Sequence, residues 1–212
     1  MKTFVNSDRV SFDAFPLFEP SWIESGMLAE IGFHVAALPL GAAKRRQGVR
    51  AYSHDAATDF YPTPSELTLA LLQREKFEGL IWECACATGE NSKLLPKESE
   101  VLSTDLYDWG YGQAGIDFLR TDFLVDNIVT NPPFSRWTAF KLKALKSARK
   151  KVALLSPLVN MTFDCRSENP PRTVYILPDV DWWGEHTPYL GVGWYVYDIG
   201  FQGNTSFVWV NL

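Results

Sequence analysis

Asn127-Ile128-Val129-Thr130-Asn131-Pro132-Pro133-Phe134 is the stretch that decides the fold. Its first four residues are a short apolar run, the pattern of a strand buried on both faces of a parallel sheet. The prolines end it, because each lacks a backbone donor and neither can extend a central strand. Three runs of the same kind lie around it: Leu80-Ile81-Trp82-Glu83, Val101-Leu102-Ser103-Thr104 and Val152-Ala153-Leu154-Leu155. Between them the chain reads as helix or loop. Pro64-Ser65-Glu66-Leu67 opens a helix in which Ser65 is the expected cap and Leu67, Leu69, Ala70, Leu71 and Leu72 form the apolar face. Strands alternating with helices predict a doubly wound α/β fold with a mostly parallel sheet. Trp194-Tyr195-Val196-Tyr197 and Ser206-Phe207-Val208-Trp209-Val210 flank a Gly-containing turn, which predicts an antiparallel hairpin closing the sheet edge.

The chain has 212 residues, enough for one domain with an appendage. Residues 1–58 lack the strand–helix rhythm and are expected to be an N-terminal arm, with residues 59–212 forming the domain. A hydrophobic fraction of 46% and a charged fraction of 21% exclude a disordered or coiled-coil chain. The formal net charge of −5 argues against a protein that coats nucleic acid by bulk charge. Cys84, Cys86 and Cys165 are too few for a disulfide framework and suit a reducing compartment. Cys84 and Cys86 have the wrong spacing for a zinc knuckle, and His34, His54 and His186 are scattered, so no metal is expected. Met1 to Phe15 does not read as a signal peptide. Met27 to Ala43 is interrupted by Glu30, His34 and Pro39 and is too short for a membrane span. The expectation is a cytoplasmic protein with no membrane contact.

Ligands of open α/β sheets bind beyond the carboxyl ends of the strands. Glu83-Cys84-Ala85-Cys86-Ala87-Thr88-Gly89-Glu90-Asn91 follows one such end, with small residues that let backbone approach a ligand. Thr104-Asp105-Leu106 follows another and places a carboxylate where it can accept from both hydroxyls of a ribose. No GxGxxG is present, so a dinucleotide fits poorly. An acidic residue at the first strand's end favours a ligand with a positive charge. By itself the loop also reads as an ordinary strand–helix turn.

The Asn131 to Phe134 loop is the sharper feature. An exocyclic amine on an aromatic base is a poor nucleophile, since its lone pair is delocalised into the ring. The Asn131 side-chain oxygen and the Pro132 carbonyl can accept its two hydrogens and favour a pyramidal nitrogen. Phe134 can stack on a base swung out of a helix. Such a site works by positioning and electrostatics, without a strong base. A rigid structural turn is the plainer reading.

These residues resemble the S-adenosylmethionine-dependent DNA adenine-N6 methyltransferases, in which Asn-Pro-Pro-Phe is the catalytic signature. The resemblance runs over about residues 59–211, and the aromatic tail is similar to that of small phage-type members. It implies a Rossmann-like class I methyltransferase domain, with Asn131, Pro132, Pro133 and Phe134 catalytic. It also implies S-adenosylmethionine as cofactor. Tyr61, Pro62, Thr63 and Pro64 would then line the methionine end, and Glu83, Ala85, Ala87 and Gly89 would form the cofactor loop. Asp105 and Leu106 would meet the ribose side, and Asp117 with Phe118 the adenine. Cys84 stands where the family has Pro, and Ala87 where it has a Gly that lies against the cofactor.

The implied partner is DNA, or RNA, since similar loops serve RNA methyltransferases. Phosphate contacts are expected from Lys44, Arg45, Arg46 and Arg50 in one basic loop and from Arg136. Arg136 to Lys151 carries seven basic residues and no acidic one (Arg136, Lys141, Lys143, Lys146, Arg149, Lys150, Lys151). A helix there would bury Trp137, Phe140, Ala144, Leu145 and Ala148 and turn Arg136, Lys143, Lys146 and Lys150 outward. That face reads equally as ordinary solvated surface. The chain has no room for a separate target-recognition domain, so relaxed specificity is expected. Protein-glutamine methylation fits less well, because Tyr usually fills the fourth position. A catalytically impaired nucleic-acid-binding remnant is the alternative of a different class, motivated by Ala87.

Overall fold

The computed structural model describes residues 60, 62–178 and 191–211. The expected arm, Tyr61, and the basic residues Lys44, Arg45, Arg46 and Arg50 lie outside them, as do His34, His54 and His186. The four apolar runs all become strands: β1 (Ile81–Glu83), β2 (Val101–Ser103), β3 (Val125–Thr130) and β4 (Ala148–Pro157). With β5 (Thr173–Ile176), β6 (Val192–Asp198) and β7 (Ser206–Trp209) they form one sheet in the order β2-β1-β3-β4-β6-β5-β7. Pairing is parallel from β2 through β1 and β3 to β4, and again between β5 and β7. Among the described strands only β6 runs against its neighbours. The carboxyl ends of β1, β2, β3 and β4 therefore share one edge of the sheet.

Both faces are covered, and side chains alternate between them as strand geometry requires. Ile81, Val129, Ala153, Leu155, Trp194 and Val196 join one core with helix α1 (Ser65–Leu72). Trp82, Ile128, Val152, Leu154, Tyr195 and Tyr197 join the other with helix α2 (Trp137–Ser147). The buried indoles keep partners: Trp194 Nε1 donates to the Leu67 carbonyl at 2.8 Å and Trp82 Nε1 to Thr104 Oγ1 at 2.8 Å. At the opposite edge from the carboxyl ends, buried Glu75 accepts from Lys151 Nζ (2.6 Å), Tyr175 Oη (2.7 Å) and Arg172. Those three hydrogen bonds hold its carboxyl below the usual range against the opposing effect of burial.

Several expectations need correction. Helix α1 has Pro64 at its cap position, and Ser65 Oγ donates instead to Glu66 Oε2 at 3.0 Å. Leu69, counted on its apolar face, is exposed. The two C-terminal strands do run in opposite directions, but β5 is inserted between them, so they do not pair directly. The basic helix ends at Ser147. Arg149, Lys150 and Lys151 belong to β4, so Lys150 shares no helix face with Lys143 and Lys146.

Candidate active site

At the end of β1, Glu83 is 1% exposed, and its carboxylate accepts from Asn91 Nδ2 and Ser92 Oγ, each at 3.0 Å. Burial pushes its pKa up to about 8, partly opposed by those two donors. Ser103 at the end of β2 donates to Ser92 Oγ at 2.8 Å, tying the strand ends together. The loop between turns tightly: Gly89 N donates to the Cys86 carbonyl at 2.7 Å. Ala87 sits inside that turn with φ +48, a left-handed conformation that its Cβ disfavours. Gly89 has φ +87 and lies under the Tyr111 ring, so a Cβ there would fall 2.5 Å from Tyr111 Cδ1. Two independent reasons thus require glycine at position 89.

At the end of β2, buried Asp105 is held from three sides. Its Oδ2 accepts from Ala87 N at 2.9 Å, and its Oδ1 from Tyr107 N at 2.9 Å and Trp109 Nε1 at 3.2 Å. With two lone pairs on each oxygen, Oδ1 is filled and Oδ2 keeps one acceptor position. The Trp109 indole also stacks on Phe60, with centroids 4.4 Å apart and planes 21° apart. The loop after β2 therefore folds back over the β1 loop, its ends joined by the Thr104–Gln113 bridge.

At the end of β3, Asn131 Nδ2 donates to Thr63 Oγ1 at 3.1 Å. Thr63 lies in the extended Pro62-Thr63-Pro64 segment that leads into α1, which brings a residue 68 positions away in sequence onto the Asn131 amide. Pro132 is buried, Pro133 has φ −56 and ψ 122, and Phe134 to Arg136 form a 3-10 turn that feeds α2. Trp137 is core, as expected: Nε1 donates to buried Asp164 at 2.8 Å, and Lys141 pairs with the same carboxylate.

The three strand ends thus bring together Pro62, Thr63, Pro64, Glu83, Ala85, Ala87, Gly89, Asp105 and the Asn131 to Phe134 loop. Leu106 is exposed beside Asp105. Asp117 accepts from Leu119 N at 3.0 Å, and Phe118 is buried between Trp82 and Phe140 (ring centroids 5.0 Å from each). Arg136 is exposed, whereas Lys143 and Lys150 form ion pairs with Asp122 and Asp126. Sequence reading placed Asn91 in the loop without a role and missed Ser92, Tyr107 and Trp109. The signals were there: the polar pair Asn91-Ser92 two residues past Gly89, and an aromatic pair just before Gly110 and Gly112, both glycines at positive φ. Among the described residues no cluster of His, Cys, Asp and Glu could hold a metal, and no helix is long and apolar enough to cross a membrane.

No family model matches the sequence, and no curated protein matches it. Solved structures do. A candidate RNA methyltransferase from Pyrococcus horikoshii superposes with a TM-score of 0.54 at 18% identity, over 70% of this chain and 89% of that one. The fold is that of the class I methyltransferases. A predicted O-methyltransferase from Agrobacterium tumefaciens is similar with a TM-score of 0.50 at 11% identity, over 69% of this chain and 86% of that one. On this methyltransferase fold, the loops after β1, β2 and β3 form the edge where ligands of such sheets bind.

Proposed function

We propose that the chain transfers a methyl group from S-adenosylmethionine to the exocyclic N6 of adenine in DNA, with relaxed sequence specificity. The observation that carries this reading is Asn131. It stands at the carboxyl end of a central strand of a methyltransferase fold, followed by Pro132, Pro133 and Phe134, with its amide nitrogen engaged by Thr63. Its oxygen is then the end that accepts from a substrate amine.

The chemistry follows from those groups. Asn131 Oδ1 and the Pro132 carbonyl accept the two N6 hydrogens and draw the nitrogen toward a pyramidal shape, which frees its lone pair to attack. Phe134 stacks on the base once it is turned out of the duplex. Asn131 is an amide and takes no proton, so the proton lost from N6 after the new bond forms passes to water. When bound, S-adenosylmethionine supplies the electrophilic methyl. The residues present fit this group. Asp105 keeps one acceptor position on Oδ2 for a ribose hydroxyl. Glu83, with Asn91 and Ser92, puts acidic and polar groups toward the cationic methionine end. Tyr61 to Pro64, Ala85, Ala87 and Gly89 would line that end, and Leu106, Asp117 and Phe118 the adenine side. Phosphate contacts would come from Arg136 and from Lys44, Arg45, Arg46 and Arg50.

The test is methyl transfer to unmethylated duplex DNA and, in parallel, to RNA, followed by digestion to nucleosides. N6-methyladenine from DNA that disappears with Asn131→Ala is the expected result. Product from RNA alone would move the substrate to RNA. No product and no binding of S-adenosylhomocysteine would leave a remnant that binds nucleic acid without catalysis.

A further inference from the structure

Thr63 is 5% exposed, and its Oγ1 faces two side-chain amides. Asn131 Nδ2 lies 3.1 Å away and Asn91 Nδ2 3.5 Å away. The orientation of the Asn91 amide follows from its other partners: its Oδ1 accepts the Thr68 hydroxyl, and its Nδ2 donates to Glu83 Oε1 at 3.0 Å. Asn91 therefore presents an N–H donor toward Thr63, and Asn131 presents another. The Thr63 hydroxyl, which can both accept and donate, accepts from both amides here. A flipped Asn131 would have to accept from the Thr63 hydroxyl instead of donating to it. It would also turn its NH2 toward an incoming amine, opposing donor to donor.

We propose that Thr63 is a positioning residue that holds the Asn131 amide by its Nδ2, the orientation that turns its oxygen toward the substrate amine. It also links this choice through Asn91 to the Glu83 carboxyl at the cofactor end. The inference rests on the methyl-transfer reading of Asn131. It gives Thr63 a task distinct from lining the cofactor: it acts through Asn131, so its loss lowers turnover more than cofactor affinity.

Thr63→Val keeps the shape and removes the acceptor, while Thr63→Ser keeps the acceptor. In Thr63→Val, kcat is expected to fall about tenfold, between the effect of one hydrogen bond and that of a misplaced catalytic group. Affinity for S-adenosylhomocysteine should stay within about threefold, less than the effect of one hydrogen bond to the ligand. Thr63→Ser should restore turnover. The Asn131 side-chain amide protons, assigned by their absence in Asn131→Asp, give a readout independent of activity. The downfield proton should move toward the position of a solvated amide in Thr63→Val and stay in place in Thr63→Ser. An unmoved resonance in Thr63→Val, or a loss confined to cofactor affinity, overturns the proposal. If the wild-type protein methylates nothing, the reaction assigned to Asn131 fails while the resonance still decides the role of Thr63. Should Thr63→Val not fold, Thr63→Ala is measured in its place against the same outcomes.

Discussion

Ala87 is where one residue most visibly works against its own backbone. At φ +48 its Cβ crowds the following carbonyl, a cost of about 1–2 kcal/mol. The bond from its N–H to Asp105 Oδ2 at 2.9 Å helps keep it there. Ala87→Gly removes the strain and gives back about 0.5–1 kcal/mol through the freer unfolded chain. A net gain of up to about 1 kcal/mol follows, which for a chain of this size raises Tm by about 2–4 °C. A melt that is unchanged or lower would refute it. Glu83 makes the second argument at this scale. Its pKa is raised to about 8 from an ordinary value of 4.5, so between those pH values the unfolded chain ionises while the folded one keeps its proton. Stability attributable to Glu83 is complete below about pH 4.5 and is lost as pH rises toward 8, at up to about 1.4 kcal/mol per pH unit. Glu75, whose pKa is lowered, acts in the opposite sense and only at the acid end. Glu83→Gln keeps the Asn91 and Ser92 contacts without a titrating group. Its melting temperature should fall less than that of wild type between pH 5.5 and 8, and parallel curves would show that Glu83 does not keep its proton.

Among the elements, the loop after β2 is the least legible in the sequence and the most consequential for the cofactor. The strands could be read because apolar runs buried on both faces need no knowledge of their partners. Asn131-Pro132-Pro133-Phe134 could be read because prolines can only end a central strand. The contacts of Trp109 could not. They depend on a loop folding back across the β1 turn, and nothing in local periodicity encodes that return. The β7 pairing was illegible for the same reason. A hairpin is a local inference, whereas the insertion of β5 between β6 and β7 is a long-range one. The basic helix misled because Ser147 ends it and the next three basic residues lie on a strand. Trp109→Phe tests the loop. It keeps a ring on Phe60 but removes the N–H that fills Asp105 Oδ1. If that indole competes with a ribose hydroxyl, affinity for S-adenosylhomocysteine should rise by about 2–10-fold, the worth of one hydrogen bond. Weaker binding by calorimetry would mean that Trp109 serves to orient Asp105.

For the whole molecule, the balance of charge governs how nucleic acid would be held. The chain carries 25 acidic and 20 basic residues, and many of the basic ones in the described domain are engaged by its own acids. Lys141 pairs with Asp164, Lys143 with Asp122, Lys150 with Asp126, Lys151 with Glu75, and Arg172 with both Glu75 and Asp198. Cations already paired release few counterions when a phosphate approaches, so they add little to the salt dependence of binding. The positions proposed to contact phosphate are Arg136, Lys44, Arg45, Arg46 and Arg50, about five charges, while Lys146 and Arg149 are also exposed and form none of these ion pairs. Each phosphate contact contributes about −0.9 to the slope of log K against log salt. If these five make the contacts, binding of duplex DNA between 50 and 200 mM salt should show a slope of about −4.5, and Arg136→Gln should make it shallower by about one unit. A clearly steeper slope would bring in further cations, exposed Lys146 and Arg149 or those released from the ion pairs on α2 and β4, and would make that face part of the interface. A shallow slope would leave affinity to base stacking and to the Asn131 pocket, the balance that the proposed function expects of an acidic chain.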